Sequence, residues 1–175
     1  PEEIIDAQFD GGEVNVYGAE ASVRGNYFLS DDLTLNGGLA YTFTDSEFRS
    51  TFDSADPLFG NVNPGERLPY IPTHQASANF ALGGARWSVN TAVSYVGSMQ
   101  ETADEQQPIF GDLSTDEQFI VDAGARVSVV PGGEVYARID NLFNQQNIVS
   151  RRPFGPRPGR PFTAFMGFRY RWGAL

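Results

Sequence analysis

Alternation of apolar and polar residues runs through most of this chain with a period of two, the spacing of side chains on a β-strand. The cleanest stretch begins at Leu33. Its odd positions are Leu33, Leu35, Gly37, Leu39, Tyr41 and Phe43, and its even positions are Thr34, Asn36, Gly38, Ala40, Thr42 and Thr44. Similar patterns predict strands over about 13–28, 33–43, 73–82, 87–95, 119–129, 134–140 and 162–172. Thr73 to Leu82 puts His74, Ala76, Ala78, Phe80 and Leu82 on one face. Trp87, Val89, Val93 and Tyr95 share a face of the next strand, and Phe119, Val121, Ala123, Ala125 and Val127 one of the fifth. No apolar run reaches the roughly 18 residues that suggest a membrane helix.

The connections sort into two kinds. Ser30-Asp31-Asp32, Gly83-Gly84 and Pro131-Gly132-Gly133 predict short turns. Residues 45–72, 97–118 and 141–161 predict long polar loops, the first punctuated by Pro57, Gly60, Pro64, Gly65, Pro69 and Pro72. Short and long connections alternate strictly. A soluble sandwich has no reason to sort its connections so, whereas transmembrane barrels carry short periplasmic turns and longer extracellular loops.

The final strand sharpens this reading. Phe162, Ala164, Met166, Phe168, Tyr170 and Trp172 form one face, and Thr163, Phe165, Gly167, Arg169 and Arg171 the other. An apolar face that finishes in aromatics fits a lipid-facing strand with Tyr and Trp at the membrane boundary. The predicted fold is all-β, an antiparallel transmembrane β-barrel. Seven strands would leave two unpaired edges that lipid cannot satisfy. Residues 1–175 are therefore expected to be the C-terminal portion of a larger barrel, with earlier strands supplied from outside them. The acidic opening, Pro1-Glu2-Glu3-Ile4-Ile5-Asp6, has no apolar core and does not read as a secretory signal.

Composition narrows the function classes. The chain has 175 residues, a formal charge of −10, one His and no Cys. A disulfide framework and a thiolate metal site are excluded. Its twelve basic residues are all Arg, and their scatter in an acidic chain argues against nucleic-acid binding. No Gly-x-Ser-x-Gly, phosphate-binding loop or His-rich motif points to an enzyme. His74 stands without a second His, so a metal ligand is not expected.

Two clusters could carry chemistry. Arg151, Arg152, Arg157 and Arg160 crowd the last loop, and guanidinium groups hold carboxylates and phosphates bidentately. They are candidate ligand-binding residues; the alternative is pairing with lipopolysaccharide phosphates or neighbouring acidic loops. Glu101, Asp104, Glu105, Asp112, Asp116 and Glu117 read as a solvated acidic loop. Bridging calcium is a further reading there, although the spacing is not that of an EF-hand. Arg126, Arg138, Arg169 and Arg171 fall on the polar faces, toward the lumen, and are expected to pair with carboxylates of the wall such as Asp122 and Asp140, or of a domain inside the barrel, rather than to bind ligand. Asn141 is expected to satisfy backbone groups where its strand enters the loop.

Four segments together resemble the C-terminal part of TonB-dependent outer-membrane receptors. They are Gly12-Glu13-Val14-Asn15-Val16-Tyr17-Gly18-Ala19-Glu20, Leu68-Pro69-Tyr70-Ile71-Pro72-Thr73-His74, Ile139-Asp140-Asn141-Leu142-Phe143-Asn144-Gln145 and the Pro-Gly-Arg end of Arg151 to Arg160. The resemblance implies a barrel of roughly 22 strands around a plug domain, in the outer membrane of a Gram-negative bacterium. It implies uptake of scarce nutrients, most often ferric siderophores, driven by the TonB-ExbB-ExbD complex acting on parts that lie outside this chain. It makes Phe162, Phe168, Tyr170 and Trp172 the barrel-closing strand read by the assembly machinery, although Gly173-Ala174-Leu175 follow where relatives usually stop. Lipid and lipopolysaccharide are the implied surroundings, an Fe(III) chelate is cargo, and no resident cofactor or metal is implied. A passive porin and a soluble extracellular β-sandwich are the alternative readings.

Overall fold

The computed structural model describes residues 11–104, 114–152 and 154–173. Its main element is one antiparallel sheet of seven strands: β1 (Val14–Ser30), β2 (Leu33–Phe48), β5 (His74–Gly83), β6 (Trp87–Val96), β7 (Gln118–Val130), β8 (Gly133–Asp140) and β11 (Thr163–Tyr170). Each pairs with the next in sequence order, so the sheet is a meander with β1 and β11 at its edges. The remaining strands are short and lie in the long loops: β3 (Phe52–Asp53) pairs with β4 (Asn61–Val62), and β9 (Ile148–Ser150) with β10 (Arg157–Pro158).

The register explains why the period-2 pattern could be read so directly. Directly opposed residues share a face. Tyr27, Leu35, Leu82, Val89, Ala125, Ala137 and Met166 therefore form one apolar row across all seven strands. The next row, on the opposite face, is Asn26, Asn36, Ala81, Asn90, Gly124, Arg138 and Phe165. Aromatics bracket the apolar face. Tyr41, Tyr95 and Phe119 lie toward the long loops, and Trp87, Phe168 and Tyr170 toward the short turns. Phe168 stacks on Tyr170, which meets Trp172 edge-on at 4.8 Å.

Among the described residues, nothing covers this apolar face. Met166 is 82% exposed, and Leu39, Phe80, Val89, Val127 and Phe168 are exposed with it. The buried core lies elsewhere. Phe48, Val62 and Ala103 are buried together, with Val14, Phe52, Phe59 and Leu68 packed around them at the long-loop end. Phe48, Phe52 and Phe59 meet at 5.4–6.3 Å between ring centroids.

Three details differ from the sequence reading. The second strand continues five residues beyond Phe43, to Phe48, because β1 stays paired along its whole length: Val14 opposes Phe48 and Tyr17 opposes Asp45. The long loop expected from residue 45 accordingly begins after Phe48. The Gly83-Gly84 turn shifts by one residue. Gly83 ends β5, and the Gly84 N–H donates to the Trp87 carbonyl across Ala85 and Arg86. Pro131-Gly132 turns as expected, with Gly132 at φ +76°.

One contact ties the last strand to its neighbour. Tyr136 on β8 lies over Gly167 on β11, so close that a Cβ at Gly167 would come within 2.4 Å of the phenol oxygen. Glycine is the residue that leaves room for that ring.

Candidate functional site

The long loops do not hang separately. The Ala103 N–H donates to the Leu58 carbonyl at 2.9 Å, and the Asn61 N–H to Asp104 Oδ2 at 3.2 Å. The Tyr70 N–H reaches the Gln100 carbonyl at 2.8 Å, with Tyr70 held at φ +59°. The Asp116 N–H donates to the Ile148 carbonyl, and the Ile148 N–H returns a bond to Asp116 Oδ2 at 2.6 Å. These bonds join the three loops into one cap over the end of the sheet.

Ion pairs reinforce it. Glu101 is fully buried, and its Oε2 lies 3.6 Å from Arg151 Nη1, itself on a buried side chain. Arg151 Nη1 also donates to the Ser114 carbonyl. Arg152 Nη1 lies 3.7 Å from Asp56 Oδ1. A pair removed from water stabilises only when both partners are present, because either alone is a buried charge.

The four arginines of the last loop are thus separated into two roles by burial. Arg151 and Arg152 face the acidic loops and hold the cap together. Arg157 Nη2 donates to Ser150 Oγ at 2.9 Å with its residue exposed. Arg160 keeps 75% of its side chain exposed and reaches Asp140 Oδ2 at 3.7 Å. The acidic loop corrects the sequence reading in part. Glu101 and Asp104 are buried rather than solvated, because loop 49–73 and Arg151 close over them. Glu105 and Asp112 lie outside the described residues. Among the described residues, no three acidic or His side chains converge as metal ligands would.

Beneath the last loop a polar hollow of about 220 Å³ opens on the polar face of the sheet. Asp122, Asp140, Asn141, Gln145, Asn147 and Arg160 line it. Asn141 is its hub. The Asn141 N–H donates to Asp122 Oδ1, and its Nδ2 donates to the carbonyls of Gln145 and Arg160. Its Oδ1 accepts from the Gln145 N–H. Asn141 is buried at φ +51°, a backbone conformation that Asn tolerates better than most residues. The sequence expectation for Asn141 therefore holds. Asp140 sits between two guanidinium groups, Arg138 Nε at 2.6 Å and Arg160 Nη1 at 3.7 Å. The chemistry available here is hydrogen bonding and charge recognition of a polar, oxygen-rich ligand.

Elsewhere on the polar face Arg169 pairs with Glu134 at 3.6 Å, and Arg126 Nε donates to Ser88 Oγ at 2.8 Å. His74 Nδ1 bonds the Tyr41 hydroxyl at 2.8 Å on the apolar face, with its ring between Tyr41 and Phe43. A second hollow, about 460 Å³, is a groove in the apolar band itself, lined by Val23, Leu39, Tyr41, Ala78, Val93 and Tyr95. It lacks the polar groups that orient a ligand and suits an acyl chain.

Pairing with neighbouring acidic loops was the alternative reading of these arginines, and Arg151 with Glu101 and Arg152 with Asp56 bear it out; sequence reasoning did not identify which carboxylates they meet, and it missed Asn147. Partners 50 and 96 residues apart in the chain leave no local signal.

Comparison with known proteins gives a consistent picture. A family model described as TonB dependent receptor-like, beta-barrel, matches residues 5–142. The siderophore receptor PiuA from Acinetobacter baumannii aligns with 91% of this chain at a TM-score of 0.67 and 17% identity. The ferric yersiniabactin uptake receptor FyuA from Yersinia pestis aligns with 89% at 0.63 and 15% identity. The ferric-catecholate import receptor Fiu from K12 E. coli aligns with 87% at 0.50 and 18% identity. This chain spans 22%, 23% and 27% of those three chains, respectively. No curated protein matches the sequence.

Proposed function

The chain belongs to the TonB-dependent receptor β-barrel family, and from that premise we propose that its full-length protein imports ferric siderophores or related iron complexes across an outer membrane. The family is one of receptors rather than enzymes. The observation that carries the outer-membrane reading is the apolar row continuous across seven strands, bracketed by aromatics and, among the described residues, uncovered. In water such a face would drive aggregation; in lipid it is the stable arrangement. The iron cargo is supported by the solved structures of like fold, which are siderophore and ferric-chelate receptors.

The arginines of the last loop serve this function in two ways. Arg157 and Arg160, exposed at the mouth, draw in anionic chelates and hold their carboxylate or catecholate oxygens. Arg151 and Arg152 act one step back, by fixing the cap that presents them. Energy comes from the TonB-ExbB-ExbD complex through parts of the protein outside these residues. Lipopolysaccharide surrounds the long-loop end.

Quenching of Trp and Tyr fluorescence in the detergent-purified full-length protein tests the reading, with ferric citrate, a ferric catecholate and haem as ligands. An iron chelate should quench with a Kd that rises at least tenfold in R157A/R160A. Absence of quenching by every iron complex would overturn the iron reading and leave the barrel intact.

A further inference from the structure

The hollow beneath the last loop holds more hydrogen-bond acceptors than its own surroundings satisfy. Ala123 opposes Ile139, so Asp122 and Asp140, next along their antiparallel strands, stand side by side on the polar face. Like charges opposed across a sheet destabilise it, so each needs a counter-charge. Asp140 has two, Arg138 Nε at 2.6 Å and Arg160 Nη1 at 3.7 Å. Asp122 has none among the described residues. Its Oδ1 accepts the Asn141 N–H at 2.9 Å, and no guanidinium joins it. Arg126 Nε donates to Ser88 Oγ instead, and Arg169 pairs with Glu134. The arginine partner expected for Asp122 from sequence is therefore missing, and its Oδ2 is left without a donor among the described residues.

A second acceptor lines the same hollow. Asn147 Nδ2 donates to the Glu117 carbonyl, while Asn147 Oδ1 is buried and has no donor among the described residues. Buried acceptors are nearly always given a donor, by the protein or by what it binds. Ala92 is the residue opposite Asp122 on β6, so no large side chain covers the carboxylate from that side. The hollow measures about 220 Å³. At the roughly 30 Å³ that a water molecule occupies in the liquid, it takes an arm of about seven non-hydrogen atoms.

We propose that this hollow receives a primary ammonium arm of the cargo. The ammonium donates to Asp122 Oδ2, with Asn147 Oδ1 as a further acceptor, while Arg157 and Arg160 at the mouth hold oxygens of the same ferric chelate. The ammonium site follows from the hollow itself, and its assignment to an iron chelate rests on the import reading above. An ammonium brings one positive charge and three donors and no acceptor, the complement of an unpaired carboxylate beside an unpartnered amide oxygen. A carboxylate arm would be repelled by Asp122, and a hydroxyl arm would leave its charge unanswered.

Saturation-transfer NMR on the detergent-purified full-length protein tests the site with the arm alone, n-pentylammonium, against n-pentanol as uncharged control. Pentylammonium should bind saturably, with a Kd at least tenfold below that of pentanol. Asp122→Asn keeps an oxygen for the Asn141 N–H and loses the charge, so it should erase that preference and leave the strand end intact. No saturable binding, equal Kd values for the two probes, or a preference that survives Asp122→Asn would overturn the proposal. A matched pair of chelates carries the test to the cargo: ferrioxamine B, which ends in a pentylammonium arm, and its N-acetyl derivative, which has the same iron-binding groups and an uncharged arm. Fluorescence quenching should give ferrioxamine B a Kd at least tenfold lower, narrowing to about twofold in Asp122→Asn. Equal values for the pair, or binding of neither while another iron complex quenches, would sink the assignment of the arm to the cargo. No quenching by any iron complex, with pentylammonium still bound, would remove the import reading and leave the ammonium site standing.

Discussion

The sheet and the loop cap solve opposite problems with the same amino acids. The sheet has seven long strands, yet its large apolar residues point outward, and the buried cluster contains only Phe48 from it. The cap has strands of two or three residues, yet it buries a valine, an alanine and an ion pair and packs half-buried phenylalanines around them. The cap is built as a small water-soluble domain would be, with apolar groups inside. The sheet is inverted, as a wall facing hydrocarbon would be, with its backbone polar groups satisfied strand to strand. Neither region explains the other's stability.

Substitutions that act on one region and spare the other probe that contrast. The largest effect is expected in the cap. Phe48→Ala should cost it about 3–5 kcal/mol, seen as rapid loop proteolysis while the barrel keeps its heat resistance on gels. Glu101→Leu should follow at about 3 kcal/mol, since it withdraws a carboxylate from the buried Arg151. Combining it with Arg151→Met should recover part of the loss, measured by the same proteolysis. On the sheet, Leu39→Arg should cost about 2–3 kcal/mol of folding stability in lipid. Gln75→Arg on the polar face should be near neutral, both by urea titration in vesicles. If the two arginines cost the same, the apolar face does not meet lipid.

The smallest effect concerns the rim, where β1 and β2 run past the apolar band. The Tyr17 hydroxyl donates to Asp45 at 2.7 Å, and with Arg67 it holds the Asp45 carboxyl below its ordinary 3.8. A lowered carboxyl pKa contributes stability that is present above pH 3.8 and lost as pH falls through the lower folded value. Protease sensitivity of the rim should rise only below about pH 4, and Asp45→Asn should abolish that dependence.

The sheet was legible because each face meets one kind of surroundings along its whole length. Leu39 and its neighbours on the row repeat what Leu33 and Leu35 already state, so a local pattern carried global information. Asn141 was legible for a related reason: its role is set by the strand end beside it. The cap was not. Nothing near Glu101 announces that Arg151 will cover it, and the acidic residues around it suggest a solvated loop. The run of four arginines looks uniform in sequence, and only the path of the loop buries Arg151 and leaves Arg160 exposed at the mouth. The extension of β2 to Phe48 was hidden because Asp45 and Glu47 break the apolar alternation while the backbone pairing continues.

The ring of Tyr136 seated over Gly167 has a consequence for how the sheet comes together. Slipping β11 by two residues along β8 preserves every inward and outward face, so hydrophobic pattern alone cannot reject it. Such a slip would bring Phe165 or Arg169 beneath the ring, where a Cβ would require the Tyr136 side chain to move. Tyr136 and Gly167 fit as key and keyway: the ring rests undisturbed in one alignment of the final strand, and each neighbouring alignment must displace it.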